Sequence, residues 1–332
     1  LSLPGGYPEL YAARLAANAP LRAAVKSAVQ GGLPTVAECG GFLYLGRTLQ
    51  DADGTPHPMA GVLPGQGFKV GRLVRFGYAC LTARAAAHAH WAALAKPLGG
   101  LGRLEAMVED AAALTGDPVP DVSRRAVLVL CADNGVVAQG VSQTDASVTR
   151  AVLENLTARR TSVCRMAAAA HCDVMPVDMG IAGAPVPGAA DCRIAAGTAD
   201  FTTGPAMTRA QAVQAIAAGI ALVRAQKQSG AQMLATGEMG IGNTTTSSAV
   251  ASVLLGRPVA EMTGRGAGLS DAGLQRKIDA IERGIARNHP DAADPLGVLA
   301  ALGGFDIAGL CGVFLGGALE RLPIVMDGFI SG

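Results

Sequence analysis

Residues 232–256 read QMLATGEMGIGNTTTSSAVASVLLG. A short apolar run around Leu234 and Ala235 has the length of a strand, and it ends in Glu238. Gly240 and Gly242 then permit a tight turn, after which Asn243, Thr244, Thr245 and Thr246 open a segment of helical length. A strand, a glycine turn and a helix in that order are the unit of a parallel α/β sheet, with the helix starting at the carboxyl end of the strand. Amides and hydroxyls at such a helix start can hold a phosphate without a Walker lysine. Threonine-rich helix starts also occur as plain caps, and this stretch alone leaves both readings open.

The same unit recurs on either side. AVLVLCAD (126–133), DVMPVD (173–178) and PIVMDG (323–328) predict three more strands alternating with helices. One helix follows a Thr208 cap, with Val213, Ile216, Ala217, Ile220 and Val223 as its core stripe. Another follows Ser270 and carries Leu274, Ile278, Ile281 and Ile285, and a third, in KPLGGLGRLEAMVEDAAALTG (96–116), turns Leu104, Met107, Val108 and Ala111 inward. The expected fold is therefore α/β, a parallel Rossmann-like sheet with flanking helices.

The four strands end in Asp133, Asp178, Glu238 and Asp327, each with a glycine close behind. Ligands of open α/β sheets bind outside the carboxyl ends of the strands, and gathered carboxylates there need hydroxyls, amides or a cationic ligand. Each acid can equally be the cap of the following helix. A second glycine loop, GRGAGLS (264–270), precedes a helix that brings Lys277 in two turns later. Two amide loops and one lysine suit a single monophosphate.

With 332 residues the chain is long enough for two domains, and a change of texture after Trp91 sets the expected division at 1–84 and 85–332. Net charge is +1 and the 27 basic residues are scattered, which argues against a grip on nucleic acid or on an anionic membrane. Seven cysteines form no CxxC and no Cys/His cluster, so free thiols in a cytoplasmic setting, with no structural zinc or other metal, are expected. Residues 307–319 are too short for a membrane span, and 239–256 are too rich in Asn, Thr and Ser. There is no secretory signal, and the opening without methionine reads as an internal fragment.

From about Trp91 onward the chain resembles the nicotinate-nucleotide:dimethylbenzimidazole phosphoribosyltransferase family. The motifs that carry this are KPLGGLGRLE (96–105), CADNGV (131–136), PVDMGI (176–181), GPAM (204–207), GEMGIGNTT (237–245), GGFDIAG (303–309) and DGFIS (327–331). The resemblance implies attack of a benzimidazole nitrogen on the anomeric carbon of nicotinate mononucleotide, giving α-ribazole phosphate and nicotinate in cobalamin lower-ligand assembly. It places Glu238, Gly240, Gly266 and Lys277 on the nucleotide side, with Asn243, Thr244 and Thr245 in the same loop and Asp133, Asp306 and Asp327 as further candidates. It implies no cofactor and a homodimer, for which the small-residue face of FDIAGLCGVFLGGAL (305–319) suits close packing at an interface or in the core. The family's base is a glutamate in a motif of the type R-L-G-E-G-T-G, beyond the DGFIS segment, whereas this sequence stops at Gly332. Glu238 is then the substitute proton acceptor, and nucleotide binding without turnover is the alternative.

The first 84 residues carry a different signal. In VAECGGFLYL (36–45), Cys39 sits between a short apolar run and a glycine turn, as a nucleophile on an elbow would, or as a buried inert thiol would. LPGGYPE (3–9) offers Gly5 and Gly6 for an oxyanion hole. With MAGVLPG (59–65) and FGYACLTA (76–83), these stretches resemble the class I glutamine amidotransferase domain of the cobyrinic acid a,c-diamide synthase family. That family places a histidine in a motif of the type E-F-H-Y-S, which is missing here; His88 and His90 lie in AAAHAHW (85–91), which does not match it. Cys39 therefore reads as the remnant of a glutamine-hydrolysing site.

Overall fold

The computed structural model describes residues 1–3, 8–37, 40–67, 81–97 and 99–332. Cys39, Gly5 and Gly6 lie outside the described residues. The chain forms two compact units, Leu1–Leu81 and Thr82–Gly332.

In the first unit β1 (Ser2–Leu3) precedes α1 (Ala12–Ala17), α2 (Ala19–Gln30), β2 (Val36–Ala37), α3 (Gly40–Leu45), β3 (Thr48–Gln50), β4 (Pro56–Pro58) and β5 (Gln66–Gly67). β1 and β2 pair in parallel, and Gly41 of α3 presses against them so closely that any side chain there would run into the Leu3 carbonyl. Asp51 closes the β3–β4 hairpin, accepting from the amides of Asp53 and Thr55 and pairing with His57 Nε2 at 2.7 Å. Ala12, Val25, Tyr44, Leu45, Leu49 and Met59 form this unit's core.

The second unit runs α4 (Leu81–Ala93), α5 (Arg103–Thr115), β6 (Arg125–Ala132), α6 (Ser147–Thr157), α7 (Ser162–Ala169), β7 (Cys172–Gly180), β8 (Ala190–Asp191), α8 (Arg209–Gln228) and β9 (Met233–Met239). It continues through α9 (Asn243–Leu255), α10 (Val259–Met262), α11 (Asp271–Asn288), α12 (Pro295–Leu302), α13 (Phe305–Glu320) and β10 (Ile324–Val325). The five strands make one parallel sheet in the order β10-β9-β6-β7-β8, as expected of the α/β pattern.

β6 is central and apolar on both faces because both are covered. Ala126, Leu128, Leu130 and Ala132 face α8 and α13, whereas Val129 and Cys131 face α6 and α7. Each fully buried leucine of this strand contributes about 1.5–3 kcal/mol of transfer free energy. A further cluster, including Val136, Phe201, Ala249, Ile281 and Leu302, packs α9, α11 and α12 together.

Three expectations change. In α8 the Thr208 capping box forms, but Val213 and Ala217 are exposed and the buried stripe is Ala212, Ala215, Gly219, Leu222 and Val223. The reason is the approach of α13: a side chain on Gly219 would collide with the Gly309 carbonyl, and one on Gly312 with the Ile216 carbonyl. Two backbones this close accept only small residues, so the glycine face of α13 is spent in the core. In α5, Leu104 and Met107 are exposed and Ala112 is buried. The fourth strand is only Ile324–Val325, an edge strand with one neighbour, so Asp327 lies beyond its end and is exposed. AAAHAHW forms part of α4, where His88 Nδ1 pairs with Glu109 of α5 at 2.8 Å. Among the described residues no helix is long and apolar enough to cross a membrane.

Candidate active site

The site grows from the junction of β9 and α9. Glu238 stands at the end of β9, one residue before Met239, and the chain then turns sharply through Gly240 and Gly242. Gly240 passes so close to the end of β6 that a side chain would lie 2.5 Å from the Ala132 carbonyl, 2.7 Å from Asp306 Oδ2 and 2.8 Å from Asn134 Nδ2. Gly242 has φ of 93°, a left-handed conformation that glycine adopts at little cost, and α9 begins at the next residue. Between them the Ile241 amide donates to Thr149 Oγ1 of α6 at 3.1 Å, anchoring the turn from the other side.

This turn forms one wall of a cavity of about 260 Å³ lined by Glu238, Gly240, Asn243, Thr244 and Gly266, with Val141, Leu269 and Ile330 adding apolar surface. Asn243 Nδ2 donates a short hydrogen bond to Glu238. Burial raises the Glu238 pKa, and the Asn243 bond partly offsets that.

Lys277 comes to the same place from the second turn of α11, after the Ser270 cap. Its Nζ donates to Thr244 Oγ1 at 2.7 Å and to the Gly264 carbonyl at 3.2 Å. The side chain is 1% exposed, and burial lowers its pKa to about 8. Among the described residues no carboxylate contacts it, so this ammonium is desolvated with no counter-charge beside it there. Gly266, with φ of 54°, keeps the second glycine loop against Thr244 and Lys277. Helix-start amides, a threonine hydroxyl and an unpaired lysine together present positive potential, the electrostatic complement of a phosphate.

The other candidates are arranged around this centre. Thr245 and Asp306 are fully buried behind the cavity wall, and Asp133 is buried beside the Ala182 amide, which donates to it at 2.9 Å. Asp178 lies inside β7 and is already satisfied by Arg193 Nε at 2.8 Å and by the amides of Gly180 and Ile181. The expected ring of four strand-end carboxylates thus reduces to Glu238 at the cavity, with Asp133 near it. Reasoning from sequence missed Thr149, Gln143 and Arg265. Gln143 bonds to the Gly268 carbonyl and Arg265 pairs with Asp271, so these side chains stiffen the second loop. Arg265 was inside a quoted motif, whereas nothing in the local pattern around Thr149 distinguishes it from an ordinary helical residue.

A parallel sheet with a phosphate-type cradle at the carboxyl ends of its strands defines an α/β protein suited to a phosphorylated ligand. Residues 79–332 match the phosphoribosyltransferase family, and the chain belongs to it. Within that class the similar proteins are nicotinate-nucleotide–dimethylbenzimidazole phosphoribosyltransferases. That of Ruminiclostridium cellulolyticum is 48% identical over 72% of this chain and 68% of its own length. That of Roseiflexus castenholzii is 47% identical over 78% and 74%. The crystal structure of CobT from Thermus thermophilus superimposes with a TM-score of 0.70 at 40% identity, covering 75% of each chain. Residues 1–78 match the CobB/CobQ-like glutamine amidotransferase domain.

Proposed function

We propose that the second unit transfers the phosphoribosyl group of nicotinate mononucleotide to 5,6-dimethylbenzimidazole, giving α-ribazole 5′-phosphate and nicotinate. The observation that carries this reading is the buried Lys277, held between Thr244 and Gly264 with no carboxylate contacting it among the described residues. The relatives' names supply the two substrates.

In this reading the phosphate rests on the amides of Gly242 and Thr244, on the Thr244 hydroxyl and on Lys277, and the ribose lies toward Glu238. The C–N bond to the pyridinium breaks, nicotinate leaves with the bonding electrons, and an azole nitrogen forms the new bond to the anomeric carbon. The azole proton goes to a carboxylate. Among the described residues Glu238 is the acid that lines the cavity. Because the leaving group departs from a cation, positioning and one proton transfer suffice.

The test is turnover and binding measured together. Glu238→Gln should keep nicotinate mononucleotide affinity within a few-fold and slow transfer by about 10²–10⁴-fold, the usual contribution of general acid–base catalysis. Unchanged turnover would remove Glu238 as the acceptor, and binding without any transfer by the unaltered protein would favour a nucleotide-binding role.

The proposal extends to a cytoplasmic homodimer, supported by the outer stripe of α13, where Leu315 and Leu319 are exposed. For the amidotransferase-like segment it is narrower: Cys39 is the nucleophile, and a glutamine-analogue electrophile should label it but not Cys39→Ser.

A further inference from the structure

Behind the cavity wall, three buried polar side chains converge from separate elements: Asn134 just after β6, Asp306 in the first turn of α13 and Asn243 at the start of α9. A methyl group on Gly304 would run into Asp306 Oδ1 and fall 2.5 Å from Asn134 Oδ1. One on Gly240 would fall 2.7 Å from Asp306 Oδ2 and 2.8 Å from Asn134 Nδ2. The carboxyl and the carboxamide therefore flank the same two glycines. Asp306 is 0% exposed and Asn134 2%, and each carries an oxygen without a partner, Oδ2 and Oδ1 respectively.

A buried acceptor without a donor costs free energy, and a carboxylate that kept its charge there would cost more. A neutral carboxyl avoids the second cost and brings an O–H donor of its own. Asn243 links this pair to the cavity: its amide bonds Glu238 and also acts on Asp306. Two carboxyls around one amide are cheaper with one of them neutral, and the fully buried one is the natural choice.

We propose that Asp306 is a positioning residue for the transfer reaction, a neutral carboxyl that acts through Asn243 and the Gly240 turn to fix Glu238 without touching substrate. The proposal rests on the transferase reading above. Burial raising Asp306 to about 7 is consistent with it, and the titratable groups that face it are Glu238 from β9 and Cys131 from β6.

Infrared difference spectra and kinetics on the full chain test it. At neutral pH the spectrum of the unaltered protein should contain a protonated-carboxyl C=O band that Asp306→Asn removes. Asp306→Asn, which keeps donor and acceptor, should retain kcat within about threefold, whereas Asp306→Ala should lower kcat by up to about a hundredfold with KM for nicotinate mononucleotide nearly unchanged. Persistence of the band in Asp306→Asn overturns the proposal, as does a loss of nucleotide affinity that matches the loss of turnover. Should Asp306→Ala fail to fold, Asp306→Glu replaces it, with the same fall in kcat expected from displaced geometry. Should the unaltered protein show no transfer, the reaction reading fails on its own, and the infrared band alone decides whether Asp306 holds the proton.

Discussion

Lys277 Nζ lies 2.7 Å from Thr244 Oγ1, so the second turn of α11 is tied to the first turn of α9 across the second glycine loop. This contact explains why a lysine occupies the buried stripe of α11, next to Gly273, Ala280, Ile281 and Gly284. An ammonium kept dry without a carboxylate is unfavourable for folding alone, and a bound phosphate would reverse that.

Lys277→Ala should weaken nicotinate mononucleotide binding by about 1.5–3 kcal/mol, the worth of a hydrogen bond to a charged group. Calorimetry is the measurement, with nicotinate riboside as control. The riboside should bind far more weakly than the nucleotide and should be almost insensitive to the substitution. Equal affinity for the two ligands would remove the phosphate from this loop.

The same lysine predicts a pH dependence of stability. Its pKa is about 8 in the fold against the ordinary 10.5, so between those values the unfolded chain binds more protons than the native one. Stability of the ligand-free protein should therefore rise with pH through that window, and the cost of the buried charge is fully present below it. Denaturant midpoints on either side of the window should show the rise in the unaltered protein and a flattened profile in Lys277→Met. Nucleotide affinity should run the opposite way, falling as pH rises and Lys277 loses its charge.

Gly240→Ala should damage both fold and site. The added methyl would sit against the Ala132 carbonyl at 2.5 Å and Asp306 Oδ2 at 2.7 Å, and the backbone carbonyl cannot move aside. Overpacking of this kind costs about 1–3 kcal/mol, to be read from thermal or urea denaturation. Nucleotide affinity should fall as well, because the Ile241 amide would be drawn away from Thr149. A neutral outcome in both assays would mean that the turn is looser than these contacts imply.

Leu319 is 65% exposed in the last turn of α13. If this stripe mediates self-association, Leu319→Glu should shift sedimentation from dimer to monomer with little change in monomer stability, since the side chain is already in solvent. A monomer before substitution would dispose of the homodimer.

Much of the architecture was local and so could be read in the sequence. The 232–256 unit needs only neighbours along the chain: an apolar run of strand length, glycines where backbone must turn, and a helix start. The Thr208 and Ser270 caps are likewise contacts within three residues, and both form. β6 showed itself as a strand through its unbroken apolar run. The candidate site was legible as far as its two glycine loops and Lys277, because each loop precedes a helix start and the lysine follows the second loop by two turns.

What depended on distance along the chain had to come from the tertiary structure. Whether the small residues of α13 meet another helix or solvent depends on α8, 90 residues earlier by the Gly219–Gly309 contact, and that contact also exposed Val213. Asp133, Asp178, Glu238 and Asp327 are equivalent as strand-end acids in sequence. The fold separates them: Arg193 neutralises Asp178, the short β10 leaves Asp327 in solvent, and Glu238 remains at the cavity. Asp306, Asn134 and Asn243 likewise come together only because β6 ends where α9 and α13 begin. Local pattern determines which backbone a segment can form at little cost, whereas desolvation and charge pairing depend on what packs against it, and only the folded chain settles that.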